Sequence, residues 1–283
     1  MNLLEVNNIS KQYQDFSLDH ISFSLPAGYI MGYIGQNGAG KTTTLNIITQ
    51  LSHASEGFVA IDGIRFEKDP IRYHEMIGYI GDSSYFQEGM TLRHIRSILK
   101  NFYPTFHPDV FDDYVKRWKL PEKKKIKTFS RGMRVKLMFA AVLSRDTKLL
   151  ILDEATNGLD PMMRREVLAL LQDYIADGQK SVLFSTHILD DLEQIADYIF
   201  FIDNGKKIFC DVKEDLTDRY LLVRGGLDDL SGELSSVLIG VEKKEFGFEA
   251  LYPTDSSVFL PSGLVTAKPS IDQIVVHMIE EMR

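Results

Sequence analysis

Residues 35–42 read GQNGAGKT, that is Gly35, Gln36, Asn37, Gly38, Ala39, Gly40, Lys41 and Thr42. They fill the pattern G-x-x-x-x-G-K-[ST] completely. Glycines let backbone N–H groups turn inward and approach phosphate oxygens closely. Lys41 brings positive charge to the β- and γ-phosphates, and the Thr42 hydroxyl suits a Mg2+ ion carried by them. Thr43 follows in the first turn of the next helix, whose positive end faces the same place. The flanks agree. YIMGYIG at 29–35 is an apolar strand, and KTTTLNIITQL at 41–51 carries Leu45, Ile48 and Leu51 at helical spacing. Strand, glycine-rich loop and helix in that order predict an α/β P-loop core that binds a nucleoside triphosphate.

Three further stretches complete that chemistry. KLLILDE at 148–154 is a continuous apolar run, as a buried parallel strand should be. It ends on Asp153, suited to the Mg2+ shell, and on Glu154, placed to orient or deprotonate an attacking water. SVLFSTH at 181–187 is a second such strand, and it delivers His187 to the carboxyl edge of the sheet, where ligands bind. The third is TFSRGMRVKL at 128–137. Ser130 caps a helix start and Gly132 follows, a good cradle for an anion. Yet the phosphate loop lies far upstream, so the anion's owner is an open question.

The remaining chain frames this core. LLEVNNIS and ISFSLPAGYIMGYIG read as strands around a Pro26-Ala27-Gly28 turn, and GFVAIDG at 57–63 as another. Within 90–145 apolar residues fall on helical faces: Leu92, Ile95, Leu99 and Phe102; Val110, Phe111, Tyr114, Val115 and Trp118; Leu137, Met138, Ala141 and Val142. Asp160-Pro161 starts a helix that stops at Gly178. Asn204-Gly205 between apolar runs marks a hairpin. Beyond 216, YLLVRG, VEKKEFGFEALY and SSVFLP read as short strands. A final helix, capped by Ser270, carries Ile271, Ile274, Val275, Met278 and Ile279. The expected domains are 1–215 and an α+β appendage at 216–283.

With 283 residues and a net charge of −8, bulk electrostatics lend no support to nucleic-acid binding. The run KKKIK at 123–127 reads as a solvated loop. Cys210 is the single cysteine, so no disulfide forms within the chain; a reduced cytosolic setting and a core position fit it. The start has no basic-then-apolar secretion pattern, and no stretch reaches 18 consecutive apolar residues. If the protein acts at a membrane, another chain crosses it.

GQNGAGKT at 35–42, FSRGM at 129–133, LLILDE at 149–154, NGLD at 157–160 and STH at 185–187, in this order, resemble the ATP-binding subunit of an ABC transporter. The resemblance covers about residues 1–215. It implies a P-loop NTPase core with an antiparallel β subdomain and an inserted helical subdomain at about 85–145. The cofactors implied are ATP and Mg2+, with Glu154, His187 and Lys41 serving hydrolysis and Tyr13 stacking on adenine. In such ATPases the signature segment of one subunit closes over the nucleotide of the other. Ser130, Arg131, Gly132 and Met133 would then meet a partner's γ-phosphate, which answers the question left by TFSRGMRVKL. Asp160 would lie at the dimer seam. The partners implied are a second copy or a related ATPase subunit and a separate transmembrane permease; no nucleic acid is expected. The location implied is cytoplasmic, peripheral on the inner face of the cell membrane.

There are departures. Arg131 replaces the usual glycine and Met133 the usual glutamine. Asp82, in GYIGDSSYF, stands where the family has a glutamine that senses Mg2+ and water; an outer-shell metal role beside Thr42 and Asp153 is the expectation. Gln87 lies five places late and reads as a surface residue. FSRGM, the FYPTF segment at 102–106 and the appendage resemble bacterial exporters of the ABC-2 kind, which handle antibiotics, lantibiotics and peptide toxins. Two rivals are a soluble ABC ATPase acting on ribosomes, which carries two cassettes per chain, and a chromosome-maintenance ATPase. The latter needs a long coiled coil that the irregular helices between the loop and the signature do not supply.

Overall fold

The computed structural model describes residues 2–230 and 232–282. In chain order the elements begin β1 (Asn2–Gln12), β2 (Ser17–Pro26), β3 (Ile30–Ile34), α1 (Lys41–Ile48), β4 (Glu56–Ile61), β5 (Ile64–Arg65), α2 (Pro70–Glu75) and β6 (Ile77–Ile80). A helical stretch follows, α3 (Leu92–Phe102), α4 (Pro108–Arg117) and α5 (Arg131–Leu143). Then come β7 (Leu149–Asp153), α6 (Pro161–Ile175), β8 (Ser181–Ser185), α7 (Leu189–Ile195), β9 (Tyr198–Asp203), β10 (Lys206–Val212) and α8 (Lys213–Asp218). The chain ends with β11 (Tyr220–Gly225), α9 (Gly232–Ser235), β12 (Ile239–Lys244), β13 (Gly247–Pro253), β14 (Val265–Ala267) and α10 (Ile271–Glu281). Two compact units result, one of residues 1–188 and 200–210, the other of 189–199 and 211–283. The sequence boundary at 215/216 differs from this division at 189–199 and 211–215.

In the first unit, β2, β1, β4 and β5 form a sheet in that order, with antiparallel pairing throughout. Alternation along β2 buries Ile21, Phe23 and Leu25, and a register shift against β1 brings Leu18 inside as well. The second sheet has the order β10-β9-β3-β8-β7-β6. Its strands β3, β8, β7 and β6 run parallel. Every residue of β3, β7 and β8 is buried, which explains the apolar runs that make up most of each strand. Register then sets the site. Tyr33 and Asp153 both pair with Ser185, so three strands end at one level and release the phosphate loop, Glu154 and His187 together.

Within the helical stretch, Leu92, Ile95, Leu99, Phe111, Val115, Trp118, Leu137, Met138, Ala141 and Val142 are buried. Phe102, expected on that face, is exposed, because α3 ends there. Leu51, read as part of the first helix, is exposed too. The helix stops at Ile48, and Gln50 turns to φ +60°.

The second unit builds a sheet in the order β12-β13-β11-β14, antiparallel in each pair. Val223, Leu234, Phe248 and Ala250 form its core. Ser270 caps α10 as expected, accepting from Gln273 N–H at 3.2 Å. Ile271, Ile274 and Val275 are buried with His277, whereas Met278 and Ile279 are only partly so. SSVFLP is not a strand. Phe259 points into solvent, Val258 O accepts from the Tyr252 hydroxyl, and the pairing place on β11 goes to β14.

Candidate active site

The loop from Gly35 to Gly40 leaves β3 and feeds α1. Gly40 sits at φ +111°, and a Cβ there would lie 2.9 Å from Phe16 Cζ and 3.1 Å from Leu18 Cδ1, so only glycine fits. Thr44 anchors the turn: its hydroxyl donates to Gly40 O at 3.1 Å and accepts from the buried Tyr33 hydroxyl at 3.0 Å. No side chain caps α1, so its first N–H groups are uncommitted donors. Lys41 Nζ donates to Gly35 O at 2.6 Å and Gln36 O at 3.2 Å, and it lies 4.0 Å from Glu154 Oε1. Burial lowers its pKa, against the pull of the Glu154 and Asp153 carboxylates.

Asp153 closes β7. Its Oδ2 accepts from Tyr79 Oη at 3.4 Å and Thr42 Oγ1 at 3.5 Å. Its Oδ1 is buried and has no hydrogen-bond partner. Ser185, its register partner on β8, also has a buried hydroxyl without a geometrically complete bond. Burial raises the Asp153 pKa, with Ser185 opposing and the Glu154 charge adding to the rise. A buried, unsatisfied carboxylate oxygen facing a hydroxyl suits a hard cation that takes one or two protein oxygens and the rest from phosphate and water. No group of three or more His, Cys, Asp or Glu gathers as a metal cage among the described residues.

Glu154 holds φ +55°, a conformation rare for a residue with a Cβ, and strain of this kind collects at functional sites. Its N–H is pinned to Ser185 O at 2.9 Å. Glu154 Oε2 accepts from Asn157 Nδ2 at 2.8 Å and faces His187 Nδ1 at the same distance. A carboxylate only accepts, so Nδ1 carries the proton and Nε2 is left to face outward.

A cavity of about 860 Å³ opens over this floor, lined by Gln36, Lys41, Thr42, Asp153 and Glu154, with Tyr13 among its walls. Tyr13 is half-exposed, 6.3 Å from Phe16 by ring centroid, with Lys11 Nζ 5.6 Å from its ring. The expected residues therefore divide. Lys41, Thr42, Asp153, Glu154 and Tyr13 share one cavity. Ser130, Arg131, Gly132, Met133 and Asp160 do not line it, nor does His187, which meets the site through Glu154. Ser130 caps α5, accepting from Met133 N–H at 3.3 Å. Asp160 caps α6 through Met162 and Met163 N–H at 3.0 and 2.9 Å.

Asp82 does not line the cavity. Its carboxylate is bound by Arg131, and no hydrogen bond links it to Thr42 or Asp153. The expected set of Thr42, Asp153 and Asp82 is thus brought together at two positions, while the third meets a cation 49 residues away in sequence.

Sequence reading missed Tyr79, Asn157, Phe16 and Asn204, all of which touch the site or its cavity. Tyr79 stands in GYIGDSSYF, a stretch singled out in the sequence for Asp82 alone. Only strand register against β7 shows its hydroxyl reaching Asp153.

Parallel strands delivering a phosphate loop, a buried aspartate and a glutamate–histidine pair to one edge define a P-loop nucleoside triphosphatase. The family described as ABC transporter matches residues 18–157. The chain is 31% identical to the bacitracin transport ATP-binding protein BcrA of Bacillus licheniformis, over 72% of this chain and 68% of that one. It is also 31% identical to the lantibiotic transport ATP-binding protein SrtF of Streptococcus pyogenes, over 73% and 89%. A solved ATP-binding subunit of an ABC transporter superposes with a TM-score of 0.71 at 27% identity, over 76% of this chain and 92% of that chain. The chain belongs to the ATP-binding proteins of ABC transporters, and it is the ATP-binding, ATP-hydrolysing subunit of such a transporter.

Proposed function

We propose that two copies of this chain close head to tail on two ATP molecules and that their hydrolysis drives export of a peptide or drug through a separate permease. The observation that carries this reading is the separation of the site. Lys41, Thr42, Asp153 and Glu154 share a cavity that Ser130 and Gly132 do not line. An anion cradle without its own phosphate loop is explained by a phosphate from a second copy. The relatives that handle bacitracin and lantibiotics support a peptide-like cargo.

Within each closed site, Lys41 holds the β- and γ-phosphates while the free N–H groups of α1 bind their oxygens. Thr42 and the unsatisfied Oδ1 of Asp153 would hold Mg2+, which neutralises phosphate charge when bound. Glu154 orients the attacking water and accepts its proton. His187, its Nδ1 proton fixed on Glu154, points Nε2 toward the γ-phosphate. Tyr13 stacks on the adenine and Asp160 lies at the seam. No helix among the described residues is long and apolar enough to cross a membrane. The chain would act from the inner face, against its permease.

The test is the mass of Glu154→Gln in solution. ATP should convert monomer to dimer, and Ser130→Arg should abolish the shift. A dimer that survives Ser130→Arg would refute the placement of the signature on a partner's nucleotide.

A further inference from the structure

Asp82 and Arg131 hold residue types unusual for the family, and in the folded chain they bind each other through Asp82 Oδ1 and Arg131 Nη2. This contact belongs to a larger seam. Ile126 N–H donates to Met90 O at 2.9 Å and Lys127 N–H to Glu88 O at 3.0 Å. Arg134 lies 3.8 Å from Glu88. The loop after β6 and the segment entering α5 are therefore joined by two backbone bonds and two ion pairs. Arg131 reaches further still. A Cβ built on Gly158 would lie 3.4 Å from Arg131 Nε and 3.6 Å from its Cδ, so the guanidinium stem rests on the loop between Asn157, which binds Glu154, and Asp160, which caps α6.

We infer that Arg131 is a positioning residue that ties the signature serine to both the Asp82 loop and the 157–160 loop. One guanidinium joins three segments that a glycine at the same position would leave unconnected. The Asp82 and Arg131 side chains are 61% and 41% exposed, and exposed pairs contribute little to stability. Their effect is on geometry: Ser130 is set in register with the loop that holds Glu154, so the half-site offered to a partner is aligned with the chain's own hydrolytic carboxylate. Asp82, in this arrangement, serves the signature rather than the metal.

This rests on the proposed closure over a partner's nucleotide, and the test separates the two. Asp82→Gln, Arg131→Gly, their double variant and the swap Asp82→Arg with Arg131→Asp are compared in the full-length chain. Each single change should lower kcat for ATP about two- to fivefold, the span an exposed pair supports, and leave affinity for a fluorescent ATP analogue unchanged. The double variant should be no worse than Arg131→Gly alone, and the swap, which restores the link to the Asp82 loop but not the contact with Gly158, should do better than the double variant. Additive losses, or a swap no better than the double variant, would overturn the proposal. Amide hydrogen exchange without nucleotide gives a readout independent of closure. Arg131→Gly should speed exchange in 82–90 and 156–160 together, and unchanged exchange in either segment would sink the idea. Failure of Glu154→Gln to dimerise would count against the closure reading alone, with hydrogen exchange then deciding on Arg131.

Discussion

Glu154 and His187 face each other at 2.8 Å, Oε2 to Nδ1, from the ends of two neighbouring parallel strands. The strained backbone of Glu154, the Asn157 bond and the histidine contact together fix that carboxylate from three sides. A group held this way needs little rearrangement when a water and a phosphate arrive.

His187→Ala should therefore slow hydrolysis far more than it weakens nucleotide binding. A fall in kcat of about 100-fold is expected for a lost proton-handling partner. Affinity for an ATP analogue should change less than about threefold, because Lys41 and the α1 N–H groups remain. Steady-state kinetics beside analogue titration checks the split.

Asp153→Asn should stabilise the chain while abolishing activity. Burial raises the Asp153 pKa, so the ionised carboxylate costs stability in the folded state. That cost is absent below the unfolded value, where both states are protonated. It grows as pH rises through the folded value and is complete above it. Near pH 7.5 the variant should gain about 1–2 kcal/mol, and Tm should rise by about 2–6 °C. The gain should fade below about pH 4. Thermal melts across pH without nucleotide show whether the difference follows this course.

Tyr79→Phe removes one hydroxyl from Asp153 and leaves the ring in place. Asp153 then keeps the Thr42 contact at 3.5 Å. The Mg2+ concentration for half-maximal hydrolysis should rise about threefold or more, the worth of one hydrogen bond. Stability should change by less than about 1.5 kcal/mol. Mg2+ titrations of the two proteins decide it.

Gly40→Ala and Gly38→Ala should differ. Both glycines have positive φ, but a Cβ at Gly38 meets nothing within 4 Å, whereas one at Gly40 strikes Phe16. Gly38→Ala should cost about 1 kcal/mol from backbone strain alone. Gly40→Ala should cost at least about 2–3 kcal/mol and displace the loop, with analogue binding lost. Denaturant melts and binding titrations give both numbers.

Much of the site was legible because its motifs are local. Gly35 to Thr42, LLILDE and STH each combine a strand end with the chemical group it presents, and a buried parallel strand announces itself by an unbroken apolar run. The caps at Ser130, Asp160 and Ser270 were equally readable, since capping needs only a side chain and the N–H groups two or three places on. Illegible features depend on distance. Tyr79 meets Asp153 across 74 residues and Arg131 meets Asp82 across 49. SSVFLP has strand-like composition, yet its chain turns out to solvent and β14 takes the place beside β11.

The sequence by itself placed the glycine-rich loop after one strand and Asp153 and Glu154 at the end of another, because each is written in the spacing of neighbouring residues. Tertiary structure decided which of those groups meet. Asp82 and Arg131 look in sequence like two unrelated departures from a family pattern. Folding makes them one contact, because side chains so far apart along the chain become neighbours only when strand register and helix packing bring their backbones together.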